Sequence, residues 1–502
     1  MNASVGVRGL AAHAAATPHR LALAEPATGR NSTFVELHEE STRLAHAYLR
    51  LGVRTDAPVA VMLPNSIEFF VAAQAAANAG APYVPVNWHL KADEVAYILR
   101  DSGAAVLVTT PDLVPLVRSA LTEVPHCTVM TTDDLPDVLA GETTTPLAGW
   151  PVARWMYYTS GTTGRPKGVV HGGFDPKLMA AFENAIADLW DLTAADSYLL
   201  AGPAYHAGPG GYAGTTLYVG GTVVVMPQWD AAEALRLVGE HRITVSFLTP
   251  AHFIRLLDLP GSCWRRADLT SLRLIVHGGA PCPPAVKRQI IDLVPGEVAE
   301  VYGGSEGGGT RIYSQDWLAH EGSVGTAWPG SEIRILDEAG RSRPVGQDGL
   351  VYLRTPAPTR FHYHRDADRT ATAWHADAFT LGDIGHLDAD GYLYLTGRSA
   401  DLLLWNGTNI YPREIELVLE SHPAVVDCVV VGRPSEREGE IPVAVVELRE
   451  PTPDDELTRH CRAGLADFKC PREFVHVDAI PRDPNGKVRR HELTRELFAS
   501  TD

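Results

Sequence analysis

Residues 158–168 read Tyr-Thr-Ser-Gly-Thr-Thr-Gly-Arg-Pro-Lys-Gly, a string whose residue types suit the binding of an anion. Glycines let a backbone fold closely around an anion, and hydroxyl groups donate hydrogen bonds to phosphate oxygens. Lys167 adds a compact positive charge. A shorter piece would read as a polar surface turn, but the whole string predicts a phosphate-binding loop. Its predicted contacts are Thr159, Ser160, Gly161, Thr162, Thr163, Gly164 and Lys167.

This loop differs from the phosphate-binding loop of P-loop nucleotidases. That motif places glycine directly before its lysine and serine or threonine directly after it. Here Pro166 precedes Lys167 and Gly168 follows it. The sequence therefore disfavours a P-loop nucleotidase.

The elements around this loop alternate between short apolar runs and amphipathic stretches. Strands are predicted at 59–63, 221–227, 245–248 and 272–277, with helices at 66–77, 231–241 and 284–293. This alternation favours parallel sheets with helices on both faces. After residue 331, short strands at 332–336, 349–354 and 392–396 predict a β-rich subdomain. A helix at 412–421 and strands at 425–431 and 443–448 predict a small α+β domain.

Length, charge and cysteine content restrict the possible classes of protein. A chain of 502 residues is long enough for two or three domains. Its net charge of −18 argues against general nucleic-acid binding. The six cysteines form no CxxC pair. Because neither a good signal peptide nor an apolar run of roughly 18–20 residues is present, we expect a cytoplasmic protein without a membrane span.

The phosphate loop resembles that of the adenylate-forming superfamily, which includes acyl- and aryl-CoA ligases. The resemblance covers nearly the whole chain, and the motifs follow in the order the family has them. The matching segments are 65–90, 203–206, 277–281, 302–306, 381–383, 397–401 and 484–487.

One further stretch resembles a calcium-binding loop only in part. The Asp-Ala-Asp-Gly sequence at 388–391 lacks the remaining calcium-loop ligands and is predicted to be a hairpin turn.

The resemblance implies an α/β fold in two parts. A large N-terminal domain, residues 1–400, would contain layered sheets with helices and a β-rich subdomain. A small mobile α+β domain, residues 401–502, would rotate about a hinge at Asp401. The implied substrates are ATP, a carboxylic acid and CoA, with Mg²⁺ as the metal. Whether the protein is a monomer or a homodimer is left open.

The resemblance also implies roles for individual residues. Lys487, His206, Glu306 and Asp401 would be catalytic, and Glu306 would hold Mg²⁺. Taken alone, Glu306 would read as a solvated loop acid and His206 as a core histidine. The remaining nucleotide contacts would come from Gly279, Ala280, Pro281, Tyr302, Gly303, Ser305, Asp383 and Arg398.

The acid that reacts is predicted from the pocket motif. Relatives that activate amino acids carry an aspartate there to pair with the substrate ammonium, and this chain does not, so a non-amino acid is expected. Many small residues favour a bulky or ring-containing acid, although glycines can also serve backbone turns. The predicted pocket residues are Tyr205, His206, Gly211, Gly278, Gly303 and Gly304.

The loop after the predicted hinge, which bears on the acceptor thiol, departs from the family's pattern. Relatives commonly have Gly-Gly-x-Asn after the hinge, where this chain has Trp405, Asn406 and Gly407. In the family this loop lines the tunnel for the pantetheine thiol. The main hypothesis is a CoA ligase, and the alternative is an enzyme that passes its acyl-AMP to a carrier protein or partner enzyme. A nucleotide-binding protein without turnover is disfavoured, because it would not need Lys487.

Overall fold

The computed structural model describes residues 8–122, 124–159, 166–171, 175–356, 360–399, 401–405, 408–435, 438–483 and 488–498. Several predicted site residues lie outside these ranges, and their roles stay predictions. They are Ser160, Gly161, Thr162, Thr163, Gly164, Asn406, Gly407 and Lys487.

The helices of the described chain alternate with its strands over most of the sequence. Two short 3₁₀ turns, Pro111–Leu113 and Asp467–Lys469, accompany them. In chain order the α-helices are Leu10–Ala16 (α1), Phe34–Arg50 (α2), Ile67–Asn78 (α3), Ala92–Ser102 (α4), Val114–Leu121 (α5), Leu135–Ala140 (α6), Pro176–Leu189 (α7), Ala207–Tyr218 (α8), Ala231–Glu240 (α9), Pro250–Leu257 (α10), Gly261–Arg266 (α11), Pro284–Leu293 (α12), Ser314–Ala319 (α13), Ala367–Ala373 (α14), Pro412–Glu420 (α15), Asp454–Gly464 (α16) and Arg490–Phe498 (α17).

The strands of the described chain range in length from two to eleven residues. In chain order they are Leu21–Glu25 (β1), Arg30–Thr33 (β2), Val59–Met62 (β3), Tyr83–Pro85 (β4), Val106–Thr109 (β5), Thr128–Thr131 (β6), Tyr157–Thr159 (β7), Lys167–His171 (β8), Ser197–Leu200 (β9), Thr222–Val225 (β10), Val245–Leu248 (β11), Leu274–His277 (β12), Glu297–Gly304 (β13), Gly307–Ile312 (β14), Ser323–Ala327 (β15), Glu332–Leu336 (β16), Gly349–Arg354 (β17), Phe361–Tyr363 (β18), Trp374–His375 (β19), Ala378–Leu387 (β20), Leu393–Arg398 (β21), Leu403–Trp405 (β22), Thr408–Ile410 (β23), Val425–Ser435 (β24), Gly439–Leu448 (β25) and Glu473–Val477 (β26).

Two sheets of the large domain contain the predicted parallel strands. One has the order β4-β3-β5-β6 and is parallel throughout. The other runs in parallel through β1-β10-β9-β11-β12-β13. All four residues of β3, β5, β11 and β12 are buried, as expected of strands covered on both faces. The predicted parallel sheets are therefore confirmed.

The β-rich region after residue 331 is joined to the second parallel sheet. Strand β13 turns back at Glu306 into antiparallel β14, and the ladder continues through β15, β21, β20, β17 and β16. The sequence predicted these strands but not their continuity with the main sheet. The link is a tight turn, in which Gly307 and Gly308 adopt positive φ angles of 95° and 70°.

Local capping sets several helix boundaries. Helix α3 begins one residue later than predicted, because Ser66 is its N-cap and accepts a hydrogen bond from the Phe69 N–H. Helix α7 begins after Asp175, whose carboxylate accepts from the N–H groups of Lys177 and Leu178. The predicted helix at 284–293 and strand at 245–248 have the observed boundaries of α12 and β11.

The C-terminal region is a small α+β unit. Strands β23-β22-β25-β24 are antiparallel, and β26 pairs in parallel with β25. Ile415, Leu419 and Leu457 from α15 and α16 pack on one face of this sheet, and Leu493 from α17 packs on the other. All six cysteines are free thiols. In the described part of the chain, no helix is long and apolar enough to cross a bilayer.

Candidate active site

The predicted phosphate loop closes a β-hairpin. Thr159 ends β7 and Lys167 begins β8, and their Cα atoms are paired across the antiparallel ladder. Strand β18 pairs with the other edge of β8 and places Tyr363 opposite Val169. The hydroxyl of Thr159 is buried and has no hydrogen-bond partner among the described residues. A buried hydroxyl without a partner at the base of this loop fits a site that a polar ligand completes.

Three side chains meet beside this hairpin. Lys167 Nζ donates to the Tyr363 hydroxyl at 2.6 Å and lies 3.0 Å from Glu306 Oε1. The Tyr363 hydroxyl donates to the same Glu306 oxygen at 2.9 Å. Only 7% of the Glu306 side chain is exposed. The predicted phosphate lysine and the predicted metal ligand are therefore in direct contact.

Tyr363 is a further site residue, which the motifs of the sequence did not indicate. Its hydroxyl joins Lys167 to Glu306, although it lies 196 positions from the lysine in the sequence. Burial, together with the charge of Glu306, raises the pKa of the Tyr363 phenol, so it stays protonated and acts as a donor. Only the pairing of β18 with β8 brings it into the site, and no local motif indicated that pairing.

A second group of contacts surrounds the predicted ribose carboxylate. Asp383 on β20 is buried, and its two oxygens accept from the Tyr302 hydroxyl at 2.8 Å and from Arg398 Nε at 2.7 Å. Arg398 lies opposite Asp383 on β21, and 58% of its side chain is exposed. A carboxylate has further lone pairs beyond these two bonds, so Asp383 retains acceptor capacity for ribose hydroxyls.

The predicted adenine segment follows β12 at the carboxyl end of the parallel sheet, where ligands bind in α/β folds. A Cβ atom on Gly278 would lie 2.5 Å from the Val301 carbonyl oxygen, so this glycine allows close packing on β13. Gly279 has a φ of 86° and is exposed, with open space beyond it. Ala280 is half-buried and Pro281 is exposed, so this segment presents its surface toward solvent.

A buried ionic cluster lies next to the predicted adenine segment, at the end of β12. Lys287 of α12 donates to Glu300 of β13 at 2.6 Å, and the lysine side chain is fully buried. His277, the last residue of β12, lies 3.7 Å from the same carboxylate. Burial and the charge of Lys287 hold the pKa of His277 well below its usual range, so the imidazole is neutral. The cluster ties α12 and β13 to the end of β12.

The predicted pocket histidine is held by a turn that a distant asparagine fixes. The Asn65 side-chain amide donates to the carbonyls of Gly202 and Met226, both at 2.9 Å, and accepts from the Ala204 N–H at 2.7 Å. His206 is the N-cap residue of α8, and its ring lies 4.5 Å from the ring of Tyr205. The Tyr205 hydroxyl is buried with no hydrogen-bond partner in the described chain.

The glycines of the predicted pocket differ in the space around them. A Cβ atom on Gly211 would meet only Trp155, at 4.0 Å, and one on Gly214 would meet nothing within 4 Å. On Gly303 it would lie 2.6 Å from the Gly308 carbonyl oxygen. On Gly304 it would lie 2.7 Å from Glu306 Oε2. Open space therefore lies along α8, whereas Gly303 and Gly304 permit the tight β13–β14 turn, with Ser305 and Glu306 at its tip.

The predicted hinge residue, Asp401, is in contact with the chain that follows the predicted C-terminal lysine segment. Asp401 Oδ2 lies 3.3 Å from Arg490 Nε, and Arg490 Nη1 lies 2.6 Å from the buried carboxylate of Glu416. On the other side of the segment, the charge of Asp483 adds to burial in raising the pKa of Tyr205. The described residues on both sides of 484–487 thus lie near site residues, although Lys487 itself is outside the described chain.

Two family models and several known relatives match most of the chain. The model for AMP-binding enzymes matches residues 10–363, and the model for the AMP-binding enzyme C-terminal domain matches residues 414–487. The chain therefore belongs to the AMP-binding enzyme family, in the acyl- and aryl-CoA ligase branch of the adenylate-forming superfamily. The superfamily and fold predicted from the sequence are confirmed.

Individual relatives match along nearly their whole length. A fatty acid–acyl-carrier-protein ligase of Streptomyces coeruleorubidus, ScoC, is 34% identical over 94% of this chain and 92% of its own. The long-chain-fatty-acid–CoA ligase FadD13 of Mycobacterium tuberculosis is 31% identical over 97% of both chains. The crystal structure of ATP-bound MatB from Rhodopseudomonas palustris superposes with a TM-score of 0.85 at 28% identity, covering 97% of each chain.

Proposed function

We propose that this protein uses ATP to convert a non-amino carboxylic acid to an acyl-AMP and then transfers the acyl group to the thiol of CoA. The observation that carries the proposal is the contact among Lys167, Tyr363 and Glu306 at the base of the phosphate hairpin. Asp383 on β20 and Tyr302 on β13 are hydrogen-bonded to each other, and both strands belong to the same sheet. Family membership supports the same conclusion.

In the first half-reaction a carboxylate oxygen of the acid attacks the α-phosphorus of ATP, and pyrophosphate leaves. Negative charge on the phosphoryl oxygens must be neutralised, and cations held in position do this most effectively. Lys167 would bind the phosphates, and Lys487 would bridge the carboxylate and the α-phosphate. His206 and Tyr205, at the start of α8, would lie against the acyl group.

The residues present fit Mg²⁺. Glu306 offers a nearly buried carboxylate, the hard oxygen ligand that Mg²⁺ prefers, and its present partner Lys167 is itself a phosphate-binding residue. We propose that Glu306 holds the ion, which would neutralise phosphate charge when bound. Lys167 would then exchange the carboxylate for a phosphate oxygen, and Tyr363 would stay hydrogen-bonded to Glu306.

We further propose the domain division predicted from the sequence, with residues 1–400 and 401–502 moving about Asp401. The ion pair between Asp401 and Arg490 supports this assignment, because it links the hinge to the segment that follows Lys487. One active site can serve two half-reactions if the small domain rotates between them. The rotation would carry Lys487 away after adenylation and bring the thiol tunnel into place.

The acceptor thiol is proposed to be that of CoA. Trp405, which raised the question of a narrowed tunnel, packs against the core of the small domain, and the Arg472 guanidinium lies 4.6 Å from its ring centroid. Its indole is thus held by its own domain, which favours an open thiol path. A carrier protein is the second candidate, because the relative that is 34% identical is an acyl-carrier-protein ligase.

One experiment tests both candidates. Pyrophosphate release is measured with fatty, aryl and polycyclic acids, and the products formed with CoA or a phosphopantetheinylated carrier are identified by mass spectrometry. We expect acid-dependent release and an acyl-CoA product. Acyl-AMP that accumulates with CoA but reacts with the carrier would favour the second candidate. If the tunnel is narrowed, Trp405→Ser with Asn406→Gly should accelerate thioester formation and leave pyrophosphate release unchanged.

A further inference from the structure

A cavity of about 50 Å³ lies beside α8, on the helix that begins after His206. Its walls are mostly apolar and include Phe70, Trp155 and Tyr218, together with Gly210 and Gly214 of α8. The cavity is larger than the roughly 10–15 Å³ that one ordered water needs. Its lining also includes one acidic side chain, Glu183 of α7.

Glu183 is buried, and its hydrogen bonding is incomplete. Only 1% of the residue is exposed. One carboxylate oxygen, Oε2, accepts from the Thr215 hydroxyl of α8 at 2.8 Å. The other, Oε1, has no partner among the residues that the structure describes. Because an unpaired oxygen of a buried carboxylate is costly, this atom is suited to accept a hydrogen bond from a ligand.

The positive charge of Arg154 acts on this carboxylate. The arginine is 7% exposed, its guanidinium lies 5.2 Å from the ring centroid of Phe182, and its Nη1 also lacks a partner in the described chain. No ion pair joins Arg154 to Glu183 in this part of the structure. The charge of Arg154 nevertheless opposes the effect of burial on the pKa of Glu183. Burial is the larger effect: it raises the pKa of Glu183 and lowers the pKa of Arg154, which shifts both side chains toward their neutral forms, so the pair adds no net charge to the region. Both side chains leave hydrogen-bonding capacity unused in the described chain.

The position of the cavity relates it to the reacting end of the substrate. Gly210 and Gly214 follow His206 by about one and two helical turns, which corresponds to roughly 6–12 Å along the axis at 1.5 Å per residue. An acid whose carboxylate reacts near the start of α8 would thus bring its far end to this cavity. This placement of the far end of the acid depends on the proposed function, because that function places the acid's carboxylate near His206.

We infer that the cavity receives the far end of the acid and that Glu183 selects acids that carry a neutral hydrogen-bond donor, such as a hydroxyl group, at that end. A hydroxyl donates one hydrogen bond and accepts others, so it can satisfy Glu183 Oε1 and still accept from a neighbouring donor. An ammonium or a second carboxylate would add net charge to a region where Arg154 and Glu183 already balance. The apolar walls suit the carbon skeleton that carries the hydroxyl.

The test is a comparison of binding that does not depend on turnover. Dissociation constants for 4-hydroxycinnamate, cinnamate and 4-methylcinnamate are measured by calorimetry on the full chain. The methyl group matches the hydroxyl in size but donates no hydrogen bond. We expect the hydroxylated acid to bind at least about tenfold more tightly than either analogue, because neither analogue can pair with the buried Glu183 oxygen. Equal affinities, or no binding of any of the three, would overturn the inference.

Variants assign the preference to Glu183. In Glu183→Gln the preference should fall by several-fold, whereas Asp188→Asn should keep it, because Asp188 lies on the same helix but its side chain is 69% exposed. A preference that survives unchanged in a folded Glu183→Gln variant would overturn the assignment. Pyrophosphate release with the same acids reports separately on the proposed function. Selective binding without release would refute that function and support the inference, and release without selectivity would refute the inference alone.

Discussion

The two halves of the active site pair their charged side chains to different degrees, although the buried Thr159 hydroxyl of the nucleotide side also lacks a partner in the described chain. On the nucleotide side, Lys167 is paired with Glu306, and Asp383 is paired with both Tyr302 and Arg398. On the acid side, Glu183 Oε1 and the Tyr205 hydroxyl are buried and lack partners in the described chain. Side chains that pair with one another hold a site in the geometry that one fixed ligand needs. Unpaired groups beside open space instead favour whichever ligand can form hydrogen bonds with them. Nucleotide binding and acid selection should therefore respond to different substitutions.

The largest effect is expected from Lys487→Ala. The lysine would neutralise charge only during adenylation, so acyl-AMP formation should fall by roughly 10²–10³-fold, as when one charge-stabilising group is removed from an active site. Thioester formation from supplied acyl-AMP should be retained. The two rates are measured separately by pyrophosphate release and by thiol consumption. Lys177→Ala, an exposed lysine at the start of α7, is the control, and an equal loss of both half-reactions would contradict the role.

The next largest effect is expected from Glu306→Gln. The amide keeps the shape but loses the charge that binds Mg²⁺ and pairs with Lys167, so adenylation should fall on the order of 10²-fold and need more Mg²⁺. Rates are measured across a magnesium titration. Glu321→Gln changes a half-exposed surface carboxylate and should leave the titration unaltered. Full wild-type activity in excess chelator would show that the carboxylate has no metal to hold.

Two glycines of α8 should respond in opposite directions. A Cβ atom on Gly210 would lie 2.1 Å from the Ala204 carbonyl oxygen, so Gly210→Ala should destabilise the fold by about 1–3 kcal/mol. Gly214 has open space, so Gly214→Ala should stabilise the helix by about 0.5–1 kcal/mol. Because Gly214 lines the cavity, the same variant should bind long acids more weakly. Thermal unfolding and acid affinity are measured together, and parallel changes in both variants would contradict the account.

Tyr363→Phe should have the smallest effect and act on the nucleotide side alone. It removes the hydroxyl that joins Lys167 to Glu306 but leaves their direct contact at 3.0 Å. The loss of one hydrogen bond, about 0.5–1.5 kcal/mol, should raise KM for MgATP roughly 2- to 10-fold. KM for the acid should stay unchanged. Tyr392→Phe, which alters a ring stacked on His320 away from this cluster, is the control. A change in acid KM alone would contradict this separation.

The sequence was most informative where function depends on short contiguous strings. The parallel strands, helix α12 and the small α+β domain were predicted from apolar periodicity, and the superfamily from its ordered motifs. The turn at 388–391 was predicted as a hairpin, and it connects β20 to β21. Within such segments, local composition and spacing are sufficient to predict the element or motif, because the residues that determine it are close in the chain.

Contacts between residues far apart in the chain could not be predicted from local sequence patterns in the same way. Tyr363 reaches Lys167 only because β18 pairs with β8. In the sequence, Glu183 and Arg154 look like ordinary charged residues. In the fold both are buried, Glu183 on α7 and Arg154 in the chain before β7. The space at Gly211 and its absence at Gly303 depend on what packs opposite each residue. A single sequence contains no local signal for such contacts, so the acid-binding half was the less predictable one.

The most direct test of the account is isotopic exchange between pyrophosphate and ATP, measured without any thiol. If the nucleotide half forms acyl-AMP on its own, exchange should require both Mg²⁺ and a carboxylic acid, and CoA should not be needed. Its rate should vary among acids in the order of their binding to the α8 cavity. Exchange without an acid, or ADP and phosphate as products in place of AMP and pyrophosphate, would contradict the account.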